Sequence, residues 1–234
     1  MNSKTAAEPI IITRALGRVY QRGQEKVEAL RNVDLTIYPA TFAIIFGPSG
    51  GGKSTLLHLL GGIDRPTSGL LSVSGIALDK LNESELTRFR REHIGFIFQF
   101  YNLLPSINAL ENVALPLLAK GIKRKEALEH AKALLERVGL NGRALHKPSQ
   151  LSGGEQQRVT IARAIAGDPT IVLADEPTGD LDAKSSDEVI QLMLDINHDL
   201  GTTFVVATHN ERFTAFADRL FELRNGELSE TLAA

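Results

Sequence analysis

Two glycine-rich stretches in this chain are built to hold anions, and each leads into a helical pattern. The first is Gly47-Pro48-Ser49-Gly50-Gly51-Gly52-Lys53-Ser54, with Thr55 next in line. The second, far downstream, is Leu151-Ser152-Gly153-Gly154-Glu155-Gln156-Gln157. Glycines let a backbone curl so that successive N–H groups point inward at phosphate oxygens, and the following helix adds its positive N-terminal dipole. The first stretch has the pattern of a P-loop, in which Lys53 reaches the β- and γ-phosphates and the Ser54 hydroxyl ligands Mg²⁺. In the second, Ser152 is a helix-capping residue, and the bare backbones of Gly153 and Gly154 admit a phosphate closely. A simple N-cap followed by flexible glycines is the other reading of that stretch. One nucleotide needs only one cradle. Two in a chain of this size point to a nucleotide held between two copies of the protein.

A third constellation is Ile171-Val172-Leu173-Ala174 followed by Asp175-Glu176. An apolar strand ending in carboxylates places them at the carboxyl edge of a sheet, where open α/β sheets bind ligands. Asp175 is suited to hold Mg²⁺ through water, and Glu176 to polarise an attacking water as general base. Ordinary loop acids after a strand are the plainer alternative. Pro177 and Gly179 give the strand a sharp exit.

The elements needed to position these residues are legible in part. Ile10–Ile12, Val27–Leu30, Val33–Tyr38 and Phe42–Phe46 read as short strands, suggesting an antiparallel sheet leading into the core. Phe42–Phe46 is continuously apolar, as a strand buried on both faces should be. A helix through Leu56, Leu57, Leu59 and Leu60 follows the P-loop. Pro66-Thr67-Ser68-Gly69 reads as a turn. Further strands are expected at Ile94–Phe98, Thr170–Ala174 and Thr202–Ala207. Ile107–Ala119 and Lys123–Val138 read as helices, with Leu128, Ala131, Leu135 and Val138 on one face. The alternation implies an α/β class: a P-loop core with a mostly parallel sheet, an N-terminal antiparallel β-subdomain, and a helical subdomain inserted at roughly 100–165 of a single domain spanning 1–234.

Composition narrows the function classes. Lys and Arg number 26 against 28 Asp and Glu, for a net charge of −2. That balance argues against bulk nucleic-acid binding. With no cysteine, disulfides and thiolate metal sites are excluded. No apolar run approaches the roughly 18 residues of a membrane helix. The best candidate, Val113–Ala119, is short and interrupted by Pro116, so work on a membrane requires a separate subunit.

Six segments, in order, carry a family resemblance over nearly the whole chain. They are the P-loop, Gln99 after Phe96-Ile97-Phe98, Leu151–Gln157, Asp175-Glu176, the loop Gly179-Asp180-Leu181-Asp182, and Thr208-His209. Together they resemble the ATP-binding subunit of ATP-binding-cassette (ABC) transporters. Gly62–Gly69, Ile94–Pro105 and Ala109–Val113 are similar to the branch that includes lipoprotein-release, macrolide-export and bacitracin-type transporters.

The resemblance implies a transport-coupled ATPase using ATP and Mg²⁺. Such a subunit forms a homodimer on ATP and drives an integral membrane permease from the cytoplasmic face of the inner membrane. The expected work is export or extraction of a lipoprotein, peptide or small amphiphile. An ATP-regulated cell-division or signalling complex without cargo is the alternative. Residue by residue, the resemblance has Tyr20 stacking on adenine and Gln99 touching Mg²⁺ or the attacking water. Ser152, Gly153 and Gly154 contact the γ-phosphate held by the opposite subunit. His209 bonds the γ-phosphate, and Asp182 communicates across the dimer. Asp180 departs from the branch, which usually has asparagine there.

Overall fold

The computed structural model describes residues 8–23 and 25–231. Two sheets organise them. The antiparallel sheet contains β1 (Ile11–Arg22), β2 (Glu25–Ile37), β4 (Ser68–Val73) and β5 (Ile76–Ala77), in the order β2-β1-β4-β5. The second sheet contains β3 (Phe42–Phe46), β6 (Ile94–Ile97), β7 (Ile171–Asp175), β8 (Thr203–Thr208), β9 (Arg219–Arg224) and β10 (Glu227–Thr231). Its order is β10-β9-β3-β8-β7-β6, and only the β9–β10 pair is antiparallel. The helices are α1 (Lys53–Leu60), α2 (Glu83–His93), α3 (Ala109–Ala119), α4 (Arg124–Arg137), α5 (Gly153–Ile165) and α6 (Ala183–Leu200).

The apolar pattern of β3 explains its central place. Ala43 and Ile45 join the core shared with the antiparallel sheet and α1, while Phe42 and Ile44 join the core beneath α5 and α6. A strand covered on both faces has no reason to alternate polar and apolar residues. A third core, from Ala109 to Ala166, holds α3, α4 and the second half of α5 together. Here Ala131, Leu135 and Val138 are buried as the helical spacing predicts, and Leu128 packs partly against them.

Helix starts follow from capping. Asn82, Asn108 and Ser152 each accept from the backbone N–H three residues on, and Glu85, Glu111 and Glu155 return the bond. This reciprocal arrangement satisfies two orphan donors at each start. It also places the beginning of α3 at Ala109, beyond the Ile107 expected from periodicity.

Several sequence expectations change. Ile10–Ile12 is only the opening of the long β1. Val27–Leu30 and Val33–Ile37 belong to one strand, with Tyr38 just beyond it, and Asn32 (φ 46°) sits at a bulge where β1 and β2 shift register. Phe42–Phe46 lies in the parallel sheet, away from the antiparallel one. Ser68 and Gly69 open β4, so the turn ends at Thr67. Pro116 lies inside α3, as the helix expected over Ile107–Ala119 requires. Among the described residues no helix is long and apolar enough to cross a membrane.

Candidate active site

The P-loop leaves β3 at the carboxyl edge of the parallel sheet. Its glycines are there for space. A Cβ on Gly47 would lie 2.2 Å from the Leu223 carbonyl oxygen, and one on Gly52 (φ 105°) would lie 2.6 Å from that of Ala29. The turn between β9 and β10 braces the loop from outside. Gly226 N–H donates to Gly51 O at 3.2 Å, and Arg31 N–H donates to Gly226 O at 2.7 Å. Lys53 begins α1 and is buried. Its ammonium donates to Gly47 O at 2.9 Å and Pro48 O at 3.1 Å, and pairs with Glu176 Oε1 at 3.3 Å. Two of the three ammonium hydrogens are therefore held by the loop's own carbonyls.

Glu176 follows β7 in the left-handed region (φ 46°), an uncommon conformation for a residue with a side chain. Its N–H bonds Ala207 O, which ties it to β8. The side chain, 11% exposed, sits in a nest of donors. Oε1 meets Lys53 and, at 3.0 Å, His209 Nδ1. Oε2 accepts from the Thr208 hydroxyl at 3.0 Å and from His209 N–H at 3.2 Å.

Asp175, one residue earlier, is different. Burial pushes its carboxyl above the ordinary range, and the neighbouring Glu176 adds to that, against the Ser54 hydrogen bond and the charges of His58 and Lys53. Its buried Oδ1 has no hydrogen-bond partner. An orphaned carboxylate oxygen beside the Ser54 hydroxyl is a fitting pair of hard oxygen donors for Mg²⁺. Among the described residues no group of three His, Cys, Asp or Glu could hold a metal, so further ligands there must come from substrate and water.

A cleft of about 640 Å³ opens over these groups, lined by Ser49, Gly50, Gly52, Lys53, Ser54 and Thr55, with Gln99 and Glu176 on one side and Val27, Glu28 and Asn225 on the other. Gln99 follows β6, and its Nε2 lies 3.5 Å from where a Cβ on Gly179 would be. His209 reaches the cleft only through Glu176.

The remaining predicted residues lie elsewhere. Tyr20 does not line the cleft, although its β2 partner Val27 does. Its hydroxyl donates to Asp64 at 2.7 Å, and the Arg18 guanidinium covers the ring at 4.4 Å. Ser152 accepts from Glu155 N–H as the cap of α5. Beside it, Gly153 faces the Tyr101 hydroxyl and Leu181, and Gly154 faces Ser185. Asp182 caps α6, accepting from Ser185 N–H at 3.0 Å and the Ser185 hydroxyl at 2.7 Å. Thus Ser152, Gly153, Gly154 and Asp182 form one neighbourhood, and the P-loop cleft of the same chain forms another. Sequence reasoning missed Asn225-Gly226, a pair that signals a tight hairpin turn, and gave Thr208 no role.

Comparison with known proteins accords with this geometry. The family model for ABC transporters matches residues 30–179. The lipoprotein-releasing system ATP-binding protein LolD of Legionella pneumophila (strain Paris) is 48% identical over 219 residues, covering 94% of this chain and 96% of the relative. LolD of Alcanivorax borkumensis is 45% identical over 228 residues, covering 97% and 99%. Among solved structures, the ATP-binding cassette MJ0796, a dimer in a post-hydrolysis state bound to ADP and Pi, is 42% identical with a TM-score of 0.89, covering 96% of this chain and 99% of that one. The chain belongs to the ABC transporter family, as an ATP-binding and ATP-hydrolysing subunit.

Proposed function

We propose that two copies of this chain close around MgATP and transmit the closure to an integral membrane permease at the cytoplasmic face of the inner membrane. One observation carries the reading. The P-loop cleft and the Ser152-Gly153-Gly154 turn are both phosphate-binding in character, yet that turn lines no part of its own chain's cleft. Each is half of a site that a second copy completes. The γ-phosphate is the contact that favours the closed dimer. A ligand shifts a conformational equilibrium only through differential affinity, so hydrolysis releases the dimer.

Within the site, Lys53 and the P-loop N–H groups hold the phosphates, and Tyr20 and Val27 flank the base. Glu176 takes a proton from the attacking water. His209 and Gln99 orient that water and sense the terminal phosphate, while Asp182 links the two halves. Ser54 and Asp175 hold Mg²⁺, which when bound neutralises charge developing on the phosphates.

The cargo class follows from the relatives, several of which are named for lipoprotein release. Extraction or export of a lipidated protein, peptide or small amphiphile is the activity proposed here. Support for the permease contact comes from a second cleft, of about 410 Å³, lined by Arg90, Arg91, Phe96, Phe98, Pro116 and Arg163. It lies against the Gln99–Leu118 segment, which leads from the catalytic cleft into the helical subdomain. The test is ATP turnover by the chain co-purified with its membrane partner. Stimulation on adding an acylated acceptor protein is expected. Turnover indifferent to both partner and cargo would contradict the proposal.

A further inference from the structure

We infer that Thr208 is a positioning residue that pins one oxygen of the Glu176 carboxylate and so dedicates the other to water. The inference rests on the reading of Glu176 as general base. It begins with the division of labour around the carboxylate. Both side-chain partners of Oε1, Lys53 and His209, are groups that turn to phosphate when nucleotide binds. Both partners of Oε2, the Thr208 hydroxyl and the His209 N–H, belong to the framework.

The direction of the Thr208 hydrogen bond is settled by chemistry. Asn210 N–H can only donate, and it donates to Thr208 Oγ1 at 3.0 Å. The hydroxyl's own hydrogen is thereby left for Glu176 Oε2. Thr208 is itself immobile. It is 1% exposed, pairs with Phe46 in the sheet, and accepts from Gly47 N–H, the first glycine of the P-loop, at 3.3 Å. One residue therefore ties together the phosphate cradle, the base and the histidine that follows it.

Steady-state ATP turnover of the purified chain tests this, using Thr208→Val, which keeps shape and loses the hydroxyl, and Thr208→Ser, which keeps the hydroxyl. Thr208→Val is expected to lower kcat on the order of tenfold, the scale of one lost charge-assisted hydrogen bond. Its KM for ATP should stay within about twofold. Thr208→Ser should restore kcat. If Thr208→Val loses nucleotide binding, Thr208→Ala repeats the comparison. A wild-type kcat in the hydroxyl-free variant, or a serine variant as impaired as the valine one, would overturn the inference. Glu176→Gln keeps the two questions apart: normal turnover there removes the base itself, whatever Thr208 does.

Discussion

Lys53 and Glu176 form an ion pair at 3.3 Å across the mouth of the P-loop, with side chains 5% and 11% exposed. Glu176, the base proposed here, holds the ammonium that the phosphates need. Binding must therefore exchange one anionic partner of Lys53 for another. A buried pair broken from one side leaves an uncompensated charge, so this exchange is tightly linked to nucleotide entry.

Glu176→Gln follows directly. The amide weakens the competition for Lys53 and removes the proposed base. Hydrolysis should fall by roughly 10²–10⁴, the range for losing a general base, while ATP binds at least as tightly as in the wild type. Equilibrium binding of a fluorescent ATP analogue, together with phosphate release, checks both halves.

Tyr20 offers a separation of two roles. Its ring is assigned to adenine, while its hydroxyl bonds Asp64. That carboxyl, although burial alone would raise it, is held below its ordinary value by the Tyr20 hydroxyl, the Arg65 N–H and the Arg18 guanidinium. Tyr20→Phe should leave ATP affinity near wild type. Tyr20→Ala should weaken it by ~1–3 kcal/mol, the stacking contribution of one base. Equal losses in both variants would assign Tyr20 to the Asp64 network instead.

Asp175→Asn should stabilise the nucleotide-free protein while weakening its use of Mg²⁺. The sign follows from linkage. A carboxyl raised by burial favours the protonated form in the folded state, so its contribution is lost as pH rises from about 4 through the folded value. Removing the charge should raise Tm at pH 8 by about 2–4 °C, the shift expected for roughly 1 kcal/mol in a chain of this size. The gain should shrink as pH is lowered towards 4. A lower Tm at pH 8 would mean that the buried carboxylate is satisfied in a way this account omits.

If each site is built from two chains, defects on opposite halves should complement. Lys53→Ala removes one half, and Gly154→Asp places a carboxylate against phosphate in the other. Each variant alone should be inactive. An equal mixture should recover about one quarter of wild-type turnover, because half of randomly paired two-fold dimers carry one intact site. No recovery would place both halves in the same chain.

Much of this site was legible because its chemistry depends on local spacing. The P-loop needs glycines at fixed steps after an apolar strand, and Asp175-Glu176 declares itself by ending another. The rest depends on contacts between distant segments. Thr208 looks like an ordinary strand residue until β8 is laid beside β3 and β7. The bracing turn Asn225-Gly226 carries a hairpin signal, but nothing local shows that it rests on Gly51. Helix α2 was missed because only Leu86 and Phe89 are buried on it, too few for a clear period. Its capping box, Asn82 to Glu85, was the available clue. Pro116 did not hide its helix: the apolar spacing of Val113, Ala114 and Leu117 carries α3 through it.

Sedimentation of the Glu176→Gln chain, with MgATP and then with MgADP, tests most directly whether the terminal phosphate joins two copies. A stable dimer with the triphosphate and a monomer with the diphosphate are predicted. A monomer under both conditions, even beside the membrane partner, would contradict the account.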